Sequence, residues 1–113
     1  MDCLFCRIIR KEIPSEIVFE NERVLAFRDI DPKAPAHILV VPKQHISGLD
    51  SITPQDAQVL GEIQLVIKML AESQKINKSG YRVVINNGRD AGQAVAHIHY
   101  HLLGGRKFQW PPG

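Results

Sequence analysis

Three of the chain's five histidines fall within five residues, in the run His97-Ile98-His99-Tyr100-His101-Leu102-Leu103. In a β-strand successive side chains alternate in direction, so this spacing predicts three imidazoles on one face and Ile98, Tyr100 and Leu102 on the other. Imidazole is a poor core filler, and a row of three is hard to explain by packing. The plainest reading is a polar strand face that happens to carry histidines. Two chemical readings compete with it. His-x-His spacing can form half of a metal site. Near neutral pH an imidazole can also attack, donate and accept protons, as work on a phosphate requires. The neighbouring sequence favours the phosphate. Asn86, Gln93 and the backbone of the Gly88–Gly92 loop supply donors, and glycine lets the main chain approach an anion closely. Asp90 is the only carboxylate after Glu72, so a catalytic metal on the three histidines would find few acidic ligands.

The elements that must hold these groups are legible as short segments. Residues 3–9 suit one or two helical turns, with Ile13-Pro14 as the stop. Ile17–Phe19, Val24–Phe27 and Ile38–Val41 read as strands, the first two joined through a turn at 20–23. A proline-stiffened loop, 29–35, follows the second. Residues 53–76 form the clearest helix. Thr53 and Asp56 make a capping pattern, Pro54 takes the first position, and Ala57, Leu60, Ile63, Ile67 and Leu70 line one face. Gly61 weakens this helix by about 1 kcal/mol relative to Ala and suggests close packing there. Tyr81–Asn86 and His97–Leu103 complete five strands. Strands, helix, then strands without βαβ alternation predict an α+β fold, an antiparallel sheet covered by one long helix.

Composition limits the function classes. The 113 residues suit a single domain, 1–113, and the 44% hydrophobic and 23% charged content is that of a globular protein. The net charge of +2 is spread without a Lys/Arg stripe, so no nucleic-acid partner is expected. No apolar run reaches the roughly 20 residues of a membrane span, and the N-terminus lacks a secretory pattern, so a cytoplasmic protein without a membrane partner is expected. Cys3 and Cys6 are therefore expected to be reduced. Their Cys-x-x-Cys spacing fits two small side chains on a short helix. A thioredoxin-like redox site is disfavoured, because no strand precedes it.

His97–Leu103 resembles the signature of the histidine triad family, with alternating histidines ending in two apolar residues. Gly92-Gln93, preceded by Asn86 and Gly88, is similar to that family's ligand loop. Ala26–Ile30 and Ala34–Lys43 are similar to its ribose-side region, and Gly104–Arg106 with Trp110–Gly113 resembles its nucleotide-binding, purine nucleoside phosphoramidase branch. The likeness runs from about Phe5 to Gly113.

The resemblance implies a five-stranded antiparallel sheet with one long helix and a short N-terminal helix, paired as a homodimer. It implies hydrolysis of nucleoside 5′-phosphoramidates and related acyl-nucleotides to a purine nucleotide, AMP or GMP. The expected route is a nucleotidyl-histidine on His99, with no cofactor needed for the chemistry. His101 at the third position implies a hydrolase rather than a transferase. His97 and His37 support the triad. Gly92, Gln93, Ala94 and Val95 hold the phosphate with His99 and His101, Asn86 positions phosphate or ribose, Asp29 accepts from the ribose hydroxyls, and Ile30 lies near the base. Many relatives of this branch have Ser where this chain has Ala94, which removes a hydroxyl from the phosphate or leaving group. Trp110 would reach the partner subunit's pocket. In some members a structural zinc is held by the residues corresponding to Cys3, Cys6, His45 and His97. A dinucleoside polyphosphate hydrolase, a nucleotide-binding regulator with little turnover, and a metal-dependent hydrolase are the alternative readings.

Overall fold

The computed structural model describes residues 3–113. Its elements run α1 (Leu4–Ile9), β1 (Ile17–Glu20), β2 (Val24–Arg28), β3 (Ala36–Pro42), α2 (Ala57–Ser73), β4 (Tyr81–Val84) and β5 (Tyr100–Gly104). The strands form one antiparallel sheet in the order β1-β2-β3-β5-β4. This is the expected α+β architecture, with one long helix and one short one.

The central strands are apolar throughout because both faces are covered. Val24, Ala26, Ile38, Val40, Ile98, Tyr100 and Leu102 pack under α2 against Leu60, Ile63, Ile67 and Leu70. On the opposite face Leu25, Phe27, Leu39 and Val41 lie under α1, against Cys3, Phe5 and Ile8. The short N-terminal helix therefore closes a second core, and that is the face that carries the histidines.

The boundaries of three elements differ from the sequence expectation. The last strand begins at Tyr100 rather than His97. Its ladder with β3 stops at Val40–Tyr100, and two residues on along β3 is Pro42, which has no N–H to give. The Ile98 amide instead donates to the Ile46 carbonyl at 2.6 Å. The expected strand 81–86 ends at Val84, where its pairing with His101 ends. The long helix also stops short of the expected residue 76, while the short one ends at Ile9 as expected. Lys11 and Lys75 adopt left-handed φ values of 64° and 60°. In each case the next residue donates back across the turn, Glu12 to the Arg7 carbonyl and Ile76 to that of Ala71, so a lysine occupies the place where glycine is usual. Thus α1 ends at Ile9, and α2 ends at Ser73.

The start of α2 follows the capping pattern. The Thr53 amide donates to Asp56 Oδ2 at 2.9 Å, and a single 3₁₀ turn, Pro54–Asp56, leads into the helix. The packing expected at Gly61 is absent: a Cβ there would meet nothing within 4 Å. Gly61→Ala is accordingly expected to stabilise the protein by about 1 kcal/mol in urea denaturation, through helix propensity alone. No helix among the described residues is long and apolar enough to cross a membrane.

Candidate functional site

The side chains of the triad alternate as a strand would direct them, although only His101 lies within β5. Ile98, Tyr100 and Leu102 enter the α2 core. The three imidazoles face the α1 side, where Phe5 lies edge-on to His97 and His99 at ring separations of 5.9 and 5.0 Å. The His99 and His101 rings are 5.0 Å apart.

Each ring's hydrogen bonds determine which nitrogen carries the proton, since a carbonyl can only accept and an amide can only donate. His99 Nδ1 donates to the His97 carbonyl at 2.7 Å, which leaves its Nε2 with a free lone pair. The Lys33 amide donates to His37 Nδ1 at 3.0 Å, so neutral His37 is protonated at Nε2. That Nε2–H donates to His101 Nδ1 at 2.9 Å, which places the His101 proton on Nε2. The chain Lys33–His37–His101 thus presents an N–H donor beside the His99 ring. Asp29 closes the chain, with Oδ2 3.4 Å from His37 Nε2.

Burial lowers the pKa of His37, the nearby Lys33 adds to this, and Asp29 opposes it. Burial, followed by the neighbouring His99 and His37, lowers His101 from 6.5 to about 4. Both rings are therefore neutral in the folded protein at pH 7. Between pH 6.5 and about 4 the unfolded chain takes up a proton at His101 that the folded chain refuses. The expected result is a urea midpoint that falls as pH drops through this window, with a shallower slope in His101→Gln.

A cavity of about 340 Å³ opens on this side, lined by Asp29, Asp31, Lys33, His37, Asn86 and His101 among others. The sequence-predicted residues Asp29, Asn86, His37 and His101 thus come together. Ile30 stands beside them with its side chain fully exposed. Ala94 and Val95 line a second opening of about 430 Å³, with Cys3, Leu4, His45, Ser47 and Ala96. Gly88 and Gly92 have φ of 89° and 84°, the left-handed values that glycine accepts without strain.

Gln93 does less for a ligand than its sequence position suggests. Its Nε2 donates to the Ser47 and Val95 carbonyls, and its Oε1 accepts from the Gly88 amide. The side chain ties the loop together and has no spare donor, while among the described residues the amides of Ala94, Val95 and Ala96 donate to no protein acceptor. Trp110 is 79% exposed and lies near Arg82, whose guanidinium is 6.0 Å from its ring.

His97 belongs to a different cluster. Its Nε2 donates to the Pro42 carbonyl at 2.8 Å, so its Nδ1 lone pair points the other way. There it meets Cys3 Sγ at 3.4 Å, Cys6 Sγ at 3.6 Å and His45 Nδ1 at 3.2 Å, and Cys6 Sγ is 3.4 Å from His45 Nδ1. A tetrahedron with bonds of about 2.0–2.3 Å has edges of about 3.3–3.8 Å, so four soft donors at these spacings suit one zinc ion. Asp29, His37 and His101 also come within 4.8 Å of one another, but there the two imidazoles are spent on each other and on the Lys33 amide.

Two participants escape a reading of the sequence. The Lys33 amide acts through backbone position, which no residue type signals. Phe5 has a faint signal in its place between the cysteines.

The HIT domain family matches residues 10–108. An uncharacterized HIT-like protein of Synechococcus elongatus is 50% identical over 112 residues, covering 99% of this chain and 97% of that protein. A 14 kDa zinc-binding protein of Zea mays is also 50% identical, covering 97% of this chain and 87% of the relative. Among solved structures, a HIT family hydrolase from Legionella pneumophila superposes with a TM-score of 0.98 at 47% identity, covering 99% of this chain and 100% of the other.

Proposed function

The chain belongs to the HIT domain family, and from this premise we propose that it is a nucleotide hydrolase that cleaves nucleoside 5′-phosphoramidates and related acyl-nucleotides. The observation that carries the reading is the hydrogen bond from His99 Nδ1 to the His97 carbonyl, which leaves a bare Nε2 beside a donating His101. The Legionella relative is named a hydrolase, in keeping with this reading.

In the proposed reaction His99 Nε2 attacks the α-phosphorus while the bond to the leaving amine breaks. The product is a nucleotidyl-histidine and an amine that has gained a proton. Water then displaces the imidazole and releases the purine nucleoside monophosphate, AMP or GMP. Splitting one displacement into two lowers each barrier. His101 Nε2–H and the free amides of Ala94, Val95 and Ala96 meet the charge that grows on the non-bridging oxygens. Asn86 orients the phosphate, Asp29 accepts from the ribose hydroxyls, and Ile30 offers an apolar surface to the base. Gly92 and Gln93 act through the loop they shape. Trapping a labelled adenylate on His99 during turnover tests the scheme, and its absence under conditions of steady hydrolysis would reject it.

Ala94 supports a second reading. Without a hydroxyl there, a hydrogen bond to charge worth about 1.5–3 kcal/mol is missing, and protonation of the amine is the step most exposed to that loss. A nucleotide-binding regulator with little turnover predicts tight AMP binding and no trapped adenylate. A dinucleoside polyphosphate hydrolase predicts faster cleavage of that substrate than of adenosine phosphoramidate.

We also assign a structural zinc to Cys3, Cys6, His45 and His97, in keeping with the name of the Zea mays relative. Bound there, the ion would tie α1 to the loops after β3 and before β5. It would take no part in the chemistry.

The proposed assembly is a homodimer. Tyr81 and Val83 on the edge strand β4 are exposed and suit such pairing. Trp110 would then face the partner's pocket. Arg106 Nε donates to the Lys33 carbonyl at 2.9 Å and is best kept in a truncated form. Removing residues 107–113 is expected to alter the ranking of leaving amines while leaving AMP affinity nearly unchanged, as steady-state rates on a series of phosphoramidates would reveal.

A further inference from the structure

The metal cluster is not sealed. Cys3 and His45 line the opening of about 430 Å³, and Leu4, Ser47, Ala94, Val95 and Ala96 form the rest of its wall. A small polar molecule can therefore come up to Cys3, which is itself 8% exposed, and Cys6 is the more exposed of the two cysteines. The second thiol is at hand. Cys6 is three residues on, its amide donates to Cys3 Sγ at 3.4 Å, and the ligand atoms of the cluster all lie within 4.8 Å of one another. Cα atoms three residues apart on a helical turn are about 5 Å apart, within the Cα–Cα span a disulfide can bridge.

The cluster also leads directly to the proposed nucleophile. His97 offers its ring to the cysteines and His45, and its carbonyl to His99 Nδ1. Phe5, placed between the two cysteines, touches both the His97 and the His99 rings. A change in the sulfurs is thus two contacts away from the group that sets the tautomer of His99.

We propose that Cys3 and Cys6 are an oxidation site at which a hydroperoxide forms a disulfide, expels the bound metal and loosens the hold on His99. The inference rests on the metal and hydrolase readings given above. The Cys3 thiolate attacks the peroxide O–O bond, becoming a sulfenic acid as the alcohol or water departs with a proton. The Cys6 thiolate then displaces hydroxide, which leaves as water after protonation. Two sulfurs lose one electron each, and the peroxide oxygens gain both. The metal loses its two anionic donors and keeps only two imidazoles. A reducing compartment restores the thiols, so the modification is reversible.

The test uses the full-length protein, reduced and loaded with zinc, titrated with hydrogen peroxide. Thiols, released zinc, intact mass and the ¹⁵N signals of the histidine rings are followed together. The expected result is paired loss of both thiols, a mass lower by two hydrogens, and zinc released in step. The His99 signals should lose their fixed Nδ1–H pattern, and nucleotidyl-enzyme formation should slow about tenfold. Dithiothreitol with zinc should reverse each change. Cys6→Ser, and separately Cys3→Ser, should gain oxygen mass without forming an intramolecular disulfide. Added oxygen in place of the disulfide, zinc retained after the disulfide forms, or unchanged His99 signals would each overturn the proposal. Protein that holds no zinc when reduced rejects the metal reading and the expulsion step, and mass and thiols still report the disulfide. Protein that never turns over nucleotide rejects the hydrolase reading, and the ring signals still report the link to His99.

Discussion

His99→Gly is expected to lower nucleotide release from a phosphoramidate by about 10⁴–10⁶-fold, the range seen when a covalent nucleophile is removed. AMP affinity should change far less, because Asp29, Asn86, His37 and His101 remain to hold the nucleotide. The contrast between the two readouts is what matters. Loss of both would mark a structural role, since the ring is 6% exposed and packs on Phe5. Loss of turnover alone marks the attacking group. Exogenous imidazole offers a further check. If His99 supplies only an attacking nitrogen, added imidazole should restore part of the rate in the glycine variant by occupying the vacated space. His101→Gln should cost less, about 10²–10³-fold, because it removes one donor to the developing charge and leaves the nucleophile in place.

Protein purified without chelators is expected to carry near-stoichiometric zinc, and Cys6→Ser should abolish it. Four donors converge at separations of 3.2–3.6 Å. Bound zinc stabilises only the folded chain, so its loss should lower Tm by about 10 °C or more for a domain of this size. Metal content by elemental analysis and Tm by calorimetry check both statements. The effect should be local at first. Cys3 is the N-cap of α1, and α1 covers Phe27, Leu39 and Val41, so the second core should become accessible to hydrogen exchange before the core under α2 does. Zinc absent from freshly purified protein would reject the assignment.

Much of the fold was legible because it depends on local patterns. The apolar periodicity of Leu60, Ile63, Ile67 and Leu70, the Thr53–Asp56 cap and the sequential order of strands each follow from short-range sterics and from burying one face. Where the reading failed, a backbone hydrogen bond outweighed residue type. Lys75 ends α2 ahead of residue 76 in a left-handed conformation that favours glycine, because the return bond from Ile76 satisfies the Ala71 carbonyl. The last strand was expected from His97 but begins at Tyr100, because Pro42, distant in sequence, cannot donate to extend the ladder.

The sequence by itself determined the kinds of groups in the site and the alternation that aims three imidazoles one way, since a period of two in an extended chain needs no partner to express it. Which nitrogen of each ring holds the proton was decided only by tertiary structure. That depends on the Lys33 amide, the Pro42 carbonyl and the His97 carbonyl, backbone groups present at every residue and so without any signature in the sequence. The same holds for the division of labour within the triad. His97 turns toward Cys3, Cys6 and His45 and His101 toward His37, because these neighbours arrive from segments 52 to 94 residues away, brought close only when the sheet and α1 assemble.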